Sequence, residues 1–374
     1  MLYDAIVVGG GVIGSSVAYQ LARRQKKVLV IDRGKTGQKA SSAAAGMLGA
    51  QSEWKGDDPL FQMARTSRAM FPSLAAELKE LSGVDIGLQQ KGLYKIALTN
   101  EEKEAWKQLG KSQKAVGETA RWIDRDEMRE TEPSLSDRIS GALYLPEDGQ
   151  VDAPKLTKAF AASAAALGAD FLEHTDVTGL VEENGRIIGV RTIGGTYTGN
   201  AVIAAAGAWS ASLLNAERTI VETYPVKGEC FSVRTKRPLI TGTLFTKDCY
   251  IVPKAGNRLV IGATEHVGSF DESVTLEGLF QLMEKARRLI PSLTESEMED
   301  TWAGIRPQTK SGIPYVGPHP EKEGLWMATG HYRNGILLSA VTGKLMADQI
   351  EGKSVDPDWV TSGQSFITIE GGLS

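Results

Sequence analysis

The sequence has little from which a disulfide framework, a metal centre or a membrane anchor could be built. Its only cysteines are Cys230 and Cys249, whose spacing fits neither a metal site nor a disulfide framework. The four histidines show no metal-ligand spacing. No run approaches the roughly 20 apolar residues of a membrane helix, and the N-terminus leads from Asp4 and a short apolar run straight into glycines, unlike a signal peptide. We therefore expect a soluble, cytoplasmic protein without a metal.

A strong excess of one charge is also absent. The chain has 42 Lys and Arg against 46 Asp and Glu, a net charge of -4, and no basic tail. Nucleic acid and membranes are therefore poor candidates as partners. The composition, 41% hydrophobic and 24% charged, is typical of a soluble globular protein. A length of 374 residues exceeds one ordinary core and predicts two domains.

The N-terminal segment carries a dinucleotide-binding pattern. A strand, a glycine turn, a helix and a second strand are predicted in turn at Ala5–Val8, Gly9–Gly14, Ser15–Arg24 and Val28–Asp32. Gly9 permits a tight turn, Gly11 lets the backbone approach a pyrophosphate, and Gly14 lets helix and strand pack closely. Asp32 could accept hydrogen bonds from a ribose diol. A structural glycine turn is the alternative, but the complete strand–turn–helix–strand–acid order favours dinucleotide binding.

FAD and NAD share this pattern, and a later segment favours FAD. Asn-Gly and Gly-Gly turns separate successive short strands predicted at Val177–Glu183, Arg186–Ile193, Thr196–Thr198 and Ala201–Ala205. This β-meander stands where a nicotinamide-binding domain usually has a helical crossover. The last strand leads to Gly207, which we expect near the cofactor because ligands bind beyond the carboxyl ends of parallel strands.

Two further glycine-bearing segments suit a flavin without requiring one. Ser41–Met47 is almost free of bulk, so its backbone could lie against a flat ring, but an ordinary small-residue loop has the same composition. Gly330–Gly335 precedes a predicted helix at Ile336–Ile350. The N-terminus of that helix could direct positive charge at a reduced flavin, or the segment could be a plain helix cap.

Six segments, spread over nearly the whole chain, carry a resemblance to known flavoproteins. They are Gly9–Gly14, Ser41–Ala50, Pro225–Cys230, Cys249–Pro253, Trp302–Pro307 and Gly330–Leu338. Together they resemble the D-amino-acid-oxidase-like family, and within it the bacterial glycine oxidases of thiamine-thiazole synthesis. We accordingly expect an α/β fold with a two-dinucleotide-binding, Rossmann-like FAD domain that has a β-meander crossover. A second, α+β substrate domain with a large antiparallel sheet should complete it.

The resemblance also implies domain ranges and contacts. The FAD domain would be discontinuous and would comprise residues 1–85, 145–222 and 302–374. The substrate-binding domain would comprise residues 86–144 and 223–301. FAD contacts are implied at Val12, Ile13, Asp32, Arg33, Ala40, Ser41, Ala45, Gly46, Met47, Val177, His331, Tyr332, Arg333, Asn334, Gly335, Ile336 and Leu337. Covalent-flavin relatives use a cysteine shortly before the C-terminal glycine segment, and Lys310–Tyr315 contains none. We therefore expect non-covalent FAD. The family also suggests a homotetramer.

By the same resemblance, Arg306 and Tyr250 hold the substrate carboxylate, with Arg333 and Met47 in the same pocket. Arginine suits this role because its guanidinium is a rigid, permanently charged, two-pronged donor. Taken alone, Arg306 could equally form a surface or structural ion pair, and Tyr250 could be a packing residue.

Two positions depart from close relatives. Glu265 stands where they often have an apolar residue, and Asp248 stands where histidine is expected. Glu265 is either solvated and inert or faces the pocket mouth. At the pocket mouth, Glu265 would repel substrates that carry a second acid group, and Arg333 would partly neutralise the charge of Glu265.

The expected reaction is oxidation of the Cα–N bond of glycine, and also of sarcosine or small D-amino acids. Hydride would pass from Cα to flavin N5, and no residue is expected to act as acid or base. The imine would hydrolyse to glyoxylate or another 2-oxo acid and ammonia, while oxygen becomes hydrogen peroxide. Two alternatives stay open: a D-amino-acid or sarcosine dehydrogenase using another electron acceptor, and a non-enzymatic flavin-binding subunit.

Overall fold

The structure, a computed structural model, describes residues 2–53, 56–215 and 223–360. Within these ranges the strands form two large sheets and one two-stranded sheet. Residues 216–222 and 361–374 of the predicted FAD domain lie outside the described residues.

The first sheet has eight strands and is built around a parallel centre. Numbered in chain order, they are β1 (Leu2–Val8), β2 (Val28–Ile31), β8 (Asp170–Leu172), β9 (Val177–Glu183), β10 (Arg186–Thr192), β11 (Gly195–Ala204), β18 (Tyr315–Pro318) and β19 (Leu325–Thr329). Strand β1 runs parallel to β2 and β11, and β19 runs parallel to β11. Strands β9 and β10 pair antiparallel with each other, and β10 pairs antiparallel with β11. This confirms the Rossmann-like sheet with a β-meander crossover.

One detail of the predicted meander is wrong. The segments Thr196–Thr198 and Ala201–Ala205 belong to a single ten-residue strand, β11. Gly199 lies opposite Tyr3 in the ladder with β1, and a Cβ added there would lie 3.2 Å from the Tyr3 carbonyl oxygen. The glycine therefore allows close packing inside a continuous strand and does not mark a turn.

The second sheet has nine strands and is antiparallel except for one parallel pair, β4 with β13. They are β4 (Leu93–Ala97), β5 (Arg121–Asp124), β6 (Gly141–Leu145), β12 (Thr223–Arg234), β13 (Thr243–Phe245), β14 (Tyr250–Lys254), β15 (Arg258–Gly262), β16 (His266–Val267) and β17 (Glu297–Thr309). The predicted domain boundary at residue 302 falls inside β17, which pairs with β12 from Glu297 to Thr309. We propose that the boundary follows Thr309.

Helices pack against both large sheets. They are α1 (Val12–Ala22), α2 (Ala40–Ala43), α3 (Pro59–Ser82), α4 (Asn100–Ala115), α5 (Arg125–Thr131), α6 (Ala153–Ala166), α7 (Ser210–Asn215), α8 (Leu276–Leu289) and α9 (Gly335–Ile350). The two-stranded sheet joins β3 (Met47–Leu48) to β7 (Gly149–Gln150). Helix α3 begins where the Asp58 side chain accepts from the Phe61 N–H at 2.8 Å, and it ends at Gly83, whose φ is 70°.

The main core lies between the first sheet and helices α1, α3, α6 and α9. Every residue of α1 is buried, and Tyr19 packs against Phe160 of α6 with ring centroids 5.7 Å apart. The second sheet meets helix α2 where Trp302 donates from Nε1 to the Ala43 carbonyl oxygen at 2.9 Å. A Cβ added to Gly304 would lie 2.5 Å from the Ala43 Cβ, so this glycine allows the close approach. The candidate site lies at this junction.

Candidate active site

A cavity lies at the junction of the two sheets. It is lined by Val12, Ile13, Ala40, Ser41, Ala43, Ala44, Ala45, Gly46, Met47, Gly207, Gly228, Cys230, Tyr250, Gly304, Arg306, Pro307, Ala328, Thr329, His331, Tyr332, Arg333, Gly335 and Ile336. These residues come from the N-termini of α1 and α9, the small-residue segment around α2, the carboxyl ends of β11 and β19, and one face of the second sheet. The cavity therefore lies between the dinucleotide-binding elements and the antiparallel second sheet.

The glycine turn after β1 has the geometry that its sequence predicts. Gly9 has φ 109°, and a Cβ on Gly14 would overlap the Gly9 carbonyl oxygen, so both positions require glycine. The Asp32 carboxylate accepts from the backbone N–H groups of Gly10 at 2.7 Å and Gly34 at 2.8 Å. Each carboxylate oxygen keeps lone pairs that a ribose hydroxyl could use.

Two helix N-termini point positive ends at the cavity. The N-cap of α1, Gly11, makes no side-chain capping bond, and the Val12 N–H donates to Ser41 Oγ at 2.8 Å. The N-cap of α9, Asn334, makes no side-chain capping bond either. Helix N-termini favour anionic groups, and the small side chains of residues 43–46 leave room for a flat ring. The residues present therefore fit FAD: the N-terminus of α1 would hold its phosphates, and the N-terminus of α9 would face its ring.

Strand register places the carboxylate-binding candidates on one face of the second sheet. Gly262 is the ladder partner of both Cys230 and Tyr250, and partnered residues share a face. The Tyr250 hydroxyl lies 3.4 Å from Cys230 Sγ. Burial raises the pKa of Tyr250 well above its ordinary value of 10.0, so the phenol is neutral and can donate a hydrogen bond.

Arg306 reaches the same face from β17. Its side chain is half-buried, and Nη1 donates to the Thr264 carbonyl oxygen at 3.4 Å. No carboxylate in the part of the chain that the structure describes pairs with its guanidinium. A neutral carbonyl leaves the positive charge uncompensated, and an anionic ligand would compensate it.

Two further polar side chains of the cavity, Arg333 and His331, already have partners. Arg333 Nε lies 3.7 Å from Glu53 Oε1, so Glu53, and not Glu265, is the carboxylate beside this arginine. His331 Nε2 lies 3.0 Å from Thr342 Oγ1, and burial lowers the pKa of this histidine to about 3. His331 is therefore neutral at physiological pH.

Comparison with known proteins agrees with this geometry. Residues 4–349 match the model of the family described as FAD dependent oxidoreductase. The chain belongs to this family. It is 47% identical over 354 residues to a glycine oxidase of Geobacillus kaustophilus (strain HTA426), covering 94% of this chain and 93% of that protein. A crystal structure of glycine oxidase from Geobacillus kaustophilus matches with a TM-score of 0.93 and 46% identity, covering 96% of this chain and 98% of that one.

A third relative is a fused protein. The bifunctional protein ThiO/ThiG of Trichormus variabilis is 32% identical over 362 residues, which cover 96% of this chain and 54% of that protein. The family match makes this chain an FAD-dependent oxidoreductase with FAD as its cofactor. Among its described residues, no helix is long and apolar enough to cross a membrane, and no cluster of histidine, cysteine or acidic side chains could hold a metal ion.

In this FAD dependent oxidoreductase, most of the predicted site residues line the cavity. They are Val12, Ile13, Ala40, Ser41, Ala45, Gly46, Met47, Gly207, Tyr250, Arg306, His331, Tyr332, Arg333, Gly335 and Ile336. The individual contacts of these residues with FAD and substrate stay predictions.

Other predicted residues lie outside the cavity lining. They are Gly9, Gly11, Gly14, Asp32, Arg33, Val177, Glu265, Asn334 and Leu337. The Arg33 guanidinium stacks on the Trp209 ring, 4.1 Å from its centroid, and Leu337 is buried in the core beside α1. Glu265 is exposed, forms no ion pair with Arg333 among the described residues, and is not one of the residues that line the cavity. The functional roles of these residues also stay predictions.

Several cavity residues were missed by the sequence reasoning. They are Ala43, Ala44, Gly228, Cys230, Gly304, Pro307, Ala328 and Thr329. The signal was present for six of them. Ala43 and Ala44 belong to the matching segment Ser41–Ala50, Gly228 and Cys230 belong to Pro225–Cys230, and Gly304 and Pro307 belong to Trp302–Pro307. Small residues next to a polar candidate are easily taken as packing residues.

Proposed function

We propose that this oxidoreductase oxidises the Cα–N bond of glycine, and also of sarcosine and small D-amino acids, with oxygen as electron acceptor. The observation that carries the proposal is the Arg306 guanidinium, which faces the cavity beside the buried Tyr250 hydroxyl and has no anionic partner among the described residues. These two donors could hold a carboxylate at the place where the residues fit a flavin.

Binding and orientation are the main tasks of the protein. Arg306 would bind the carboxylate through charge-assisted hydrogen bonds, and Tyr250 would add a neutral donor to the same group. Fixing the carboxylate at two points limits where Cα can lie, and orientation of this kind lowers the barrier by removing rotational freedom in advance. FAD, when bound, supplies the hydride acceptor.

The cavity offers no evident base. His331 is neutral, but its Nε2 is engaged with Thr342 and its ring is buried. Cys230 is a buried thiol whose pKa burial raises, so it is not a ready thiolate. We therefore infer that the substrate amine reacts in its neutral form and that bulk water removes its proton. Activity with glycine should rise with pH up to the amine pKa.

The proposed products are an imine, which water hydrolyses to glyoxylate and ammonia, and hydrogen peroxide. The resemblance to the glycine oxidases of thiamine-thiazole synthesis supports a role for the product in that synthesis. The fused relative from Trichormus variabilis supports the same association, since its name joins two units in one chain.

The test uses purified holoprotein and three substrates. With glycine, peroxide and glyoxylate should form in equal amounts, and sarcosine should give methylamine in place of ammonia. Glycinamide keeps the amine and Cα of glycine but lacks the carboxylate, so it should not be oxidised at a measurable rate. Equal rates with glycine and glycinamide would contradict the carboxylate clamp, and no product from glycine would contradict the proposed function.

A further inference from the structure

Gly228 lies directly beneath the Arg306 guanidinium. In the ladder of β12 and β17, Val226 is the partner of Arg306, and Gly228 is the partner of Gly304. Gly228 is thus the diagonal neighbour of Arg306 on the same face, a position that a long side chain reaches. A Cβ added to Gly228 would lie 2.5 Å from the guanidinium carbon, well inside van der Waals contact.

The guanidinium of Arg306 is the group nearest to the space above Gly228. The three atoms nearest to an added Cβ all belong to the Arg306 guanidinium. The paired glycine, Gly304, differs, because its added Cβ would meet the side chain of Ala43. Glycine at 304 thus allows two parts of the chain to approach, whereas glycine at 228 makes room for a functional side chain.

A second support fixes the guanidinium from the side. Arg306 Nη1 donates to the Thr264 carbonyl oxygen at 3.4 Å. Thr264 is attached to β12, since the Glu229 N–H donates to Thr264 Oγ1 at 2.9 Å and the Thr264 N–H donates to the Glu229 carbonyl oxygen at 3.2 Å. Of the two supports of Arg306, Gly228 therefore belongs to β12 and Thr264 is hydrogen-bonded to the adjacent residue of β12.

The backbone on either side of Gly228 is held by an ionic cluster of two buried residues, Lys227 and Glu229, and the exposed Asp271. Lys227 and Glu229 point to the opposite face of the strand, and both are buried. Lys227 Nζ lies 3.1 Å from Glu229 Oε1 and 2.9 Å from Asp271 Oδ2. Glu229 also accepts from the Thr275 N–H at 3.2 Å. Because unpairing buried charges is unfavourable, this cluster resists movement of Gly228.

We propose that Gly228 is a positioning residue, which sets the height of the Arg306 guanidinium above β12 and thereby the place of the substrate carboxylate. This inference rests on the proposed role of Arg306. A methyl group at 228 would displace the guanidinium by about 1 Å, the difference between the 2.5 Å approach and an ordinary carbon–carbon contact. A displacement of this size reduces rates by up to about a hundredfold when it misplaces reacting atoms.

The experiment measures Gly228→Ala as the holoprotein. We expect kcat/KM for glycine to fall roughly 30- to 100-fold, and the inhibition constant of acetate, which presents a carboxylate alone, to rise in parallel. FAD content should stay at the parent's level. The control is Gly194→Ala, where an added Cβ meets only Thr192 Oγ1 at 3.7 Å, and its kinetics should match the parent's.

A double-mutant cycle separates positioning from general damage. In an Arg306→Ala background the clash is gone, so adding Gly228→Ala should cause no further loss in kcat/KM. The inference would be overturned by an equal loss of kcat/KM in both backgrounds. It would also be overturned if Gly228→Ala left kcat/KM for glycine and the inhibition constant of acetate unchanged. Should Gly228→Ala fail to fold, recovery of folding in the double variant would support the clash with Arg306, and failure of both would overturn it. If Arg306→Ala alone changes nothing, the carboxylate clamp itself is wrong.

Discussion

Replacing Arg306 with alanine is the most informative perturbation of this site. The guanidinium is half-buried and carries no anionic partner among the described residues, so its charge is available to a substrate carboxylate. Charge-assisted hydrogen bonds contribute about 1.5–3 kcal/mol each, and a two-pronged contact therefore about 3–6 kcal/mol. Partial exposure to solvent weakens the contact, which favours the lower end, about 3–4 kcal/mol. In kcat/KM this is a loss of roughly two to three orders of magnitude.

The assay is steady-state oxidation of glycine by Arg306→Ala, with Arg306→Lys and Arg287→Ala alongside. Lysine keeps the charge but not the planar fork, so it should recover only part of the loss. Arg287 is 53% exposed and pairs with Glu284 on the surface of α8, so its replacement should have no effect. The flavin content of Arg306→Ala should equal the parent's. Glycine oxidation within a few-fold of the parent would refute the assignment of Arg306 to the carboxylate.

Three further predictions concern the cofactor, a buried histidine and the pocket mouth. Acid denaturation should release all flavin into the supernatant, because Lys310–Tyr315 contains no cysteine; a yellow pellet would contradict this. Burial lowers the pKa of His331 from 6.5 to about 3, so the unfolded state alone gains a proton between these pH values. The free energy of unfolding should therefore fall with falling pH by up to about 1.4 kcal/mol per pH unit. In denaturant titrations, the free energy of unfolding of His331→Gln should fall less than that of the parent between about pH 6 and about pH 4.5. Equal pH dependence of the two proteins would argue against a buried neutral ring. Glu53→Gln should free Arg333 and lower KM for N-carboxymethylglycine a few-fold relative to KM for glycine, and added salt should weaken this effect. Replacement of the exposed Glu265 by glutamine should leave the ratio of the two KM values unchanged. The reverse pattern would assign the repulsion of a second acid group to Glu265.

The sequence predicts the first sheet well because its signals are local. The glycine turn, the Asn-Gly hairpin and the helix caps each act within a few residues, and the structure contains all of them. Helix α1 begins at Val12 and not at Ser15, because the glycine turn itself enters the first helical turn. The continuous β11 was predicted as two strands because a glycine that allows close packing looks the same in sequence as a glycine that ends a strand.

Strand β17 shows what the sequence could not predict. Its residues, Glu297–Thr309, include three acidic side chains, a glycine and a proline, and they lack a regular alternation of apolar and polar residues. Its strand conformation comes from pairing with β12, some seventy residues earlier in the chain. The register of that pairing places Arg306 above Gly228, and such a long-range register leaves no local pattern.

The same limit applies to the charged groups around the site. Arg333 was paired with Glu265 in the sequence reasoning because both were assigned to one pocket. The structure instead brings Glu53 to Arg333, from a segment that follows β3. The conformation of the loops decides which charged residues meet at the surface, and residue composition does not predict that conformation.

The central claim is that glycine reduces the flavin of this protein and that oxygen reoxidises it. The direct measurement is anaerobic titration of the yellow holoprotein with glycine, followed by flavin absorbance, and then admission of oxygen. We predict that glycine bleaches the flavin completely, that glycinamide does not, and that oxygen restores the colour with about one peroxide per flavin. A flavin that glycine leaves oxidised would contradict the account, and one that glycine bleaches but oxygen fails to restore would make the protein a dehydrogenase.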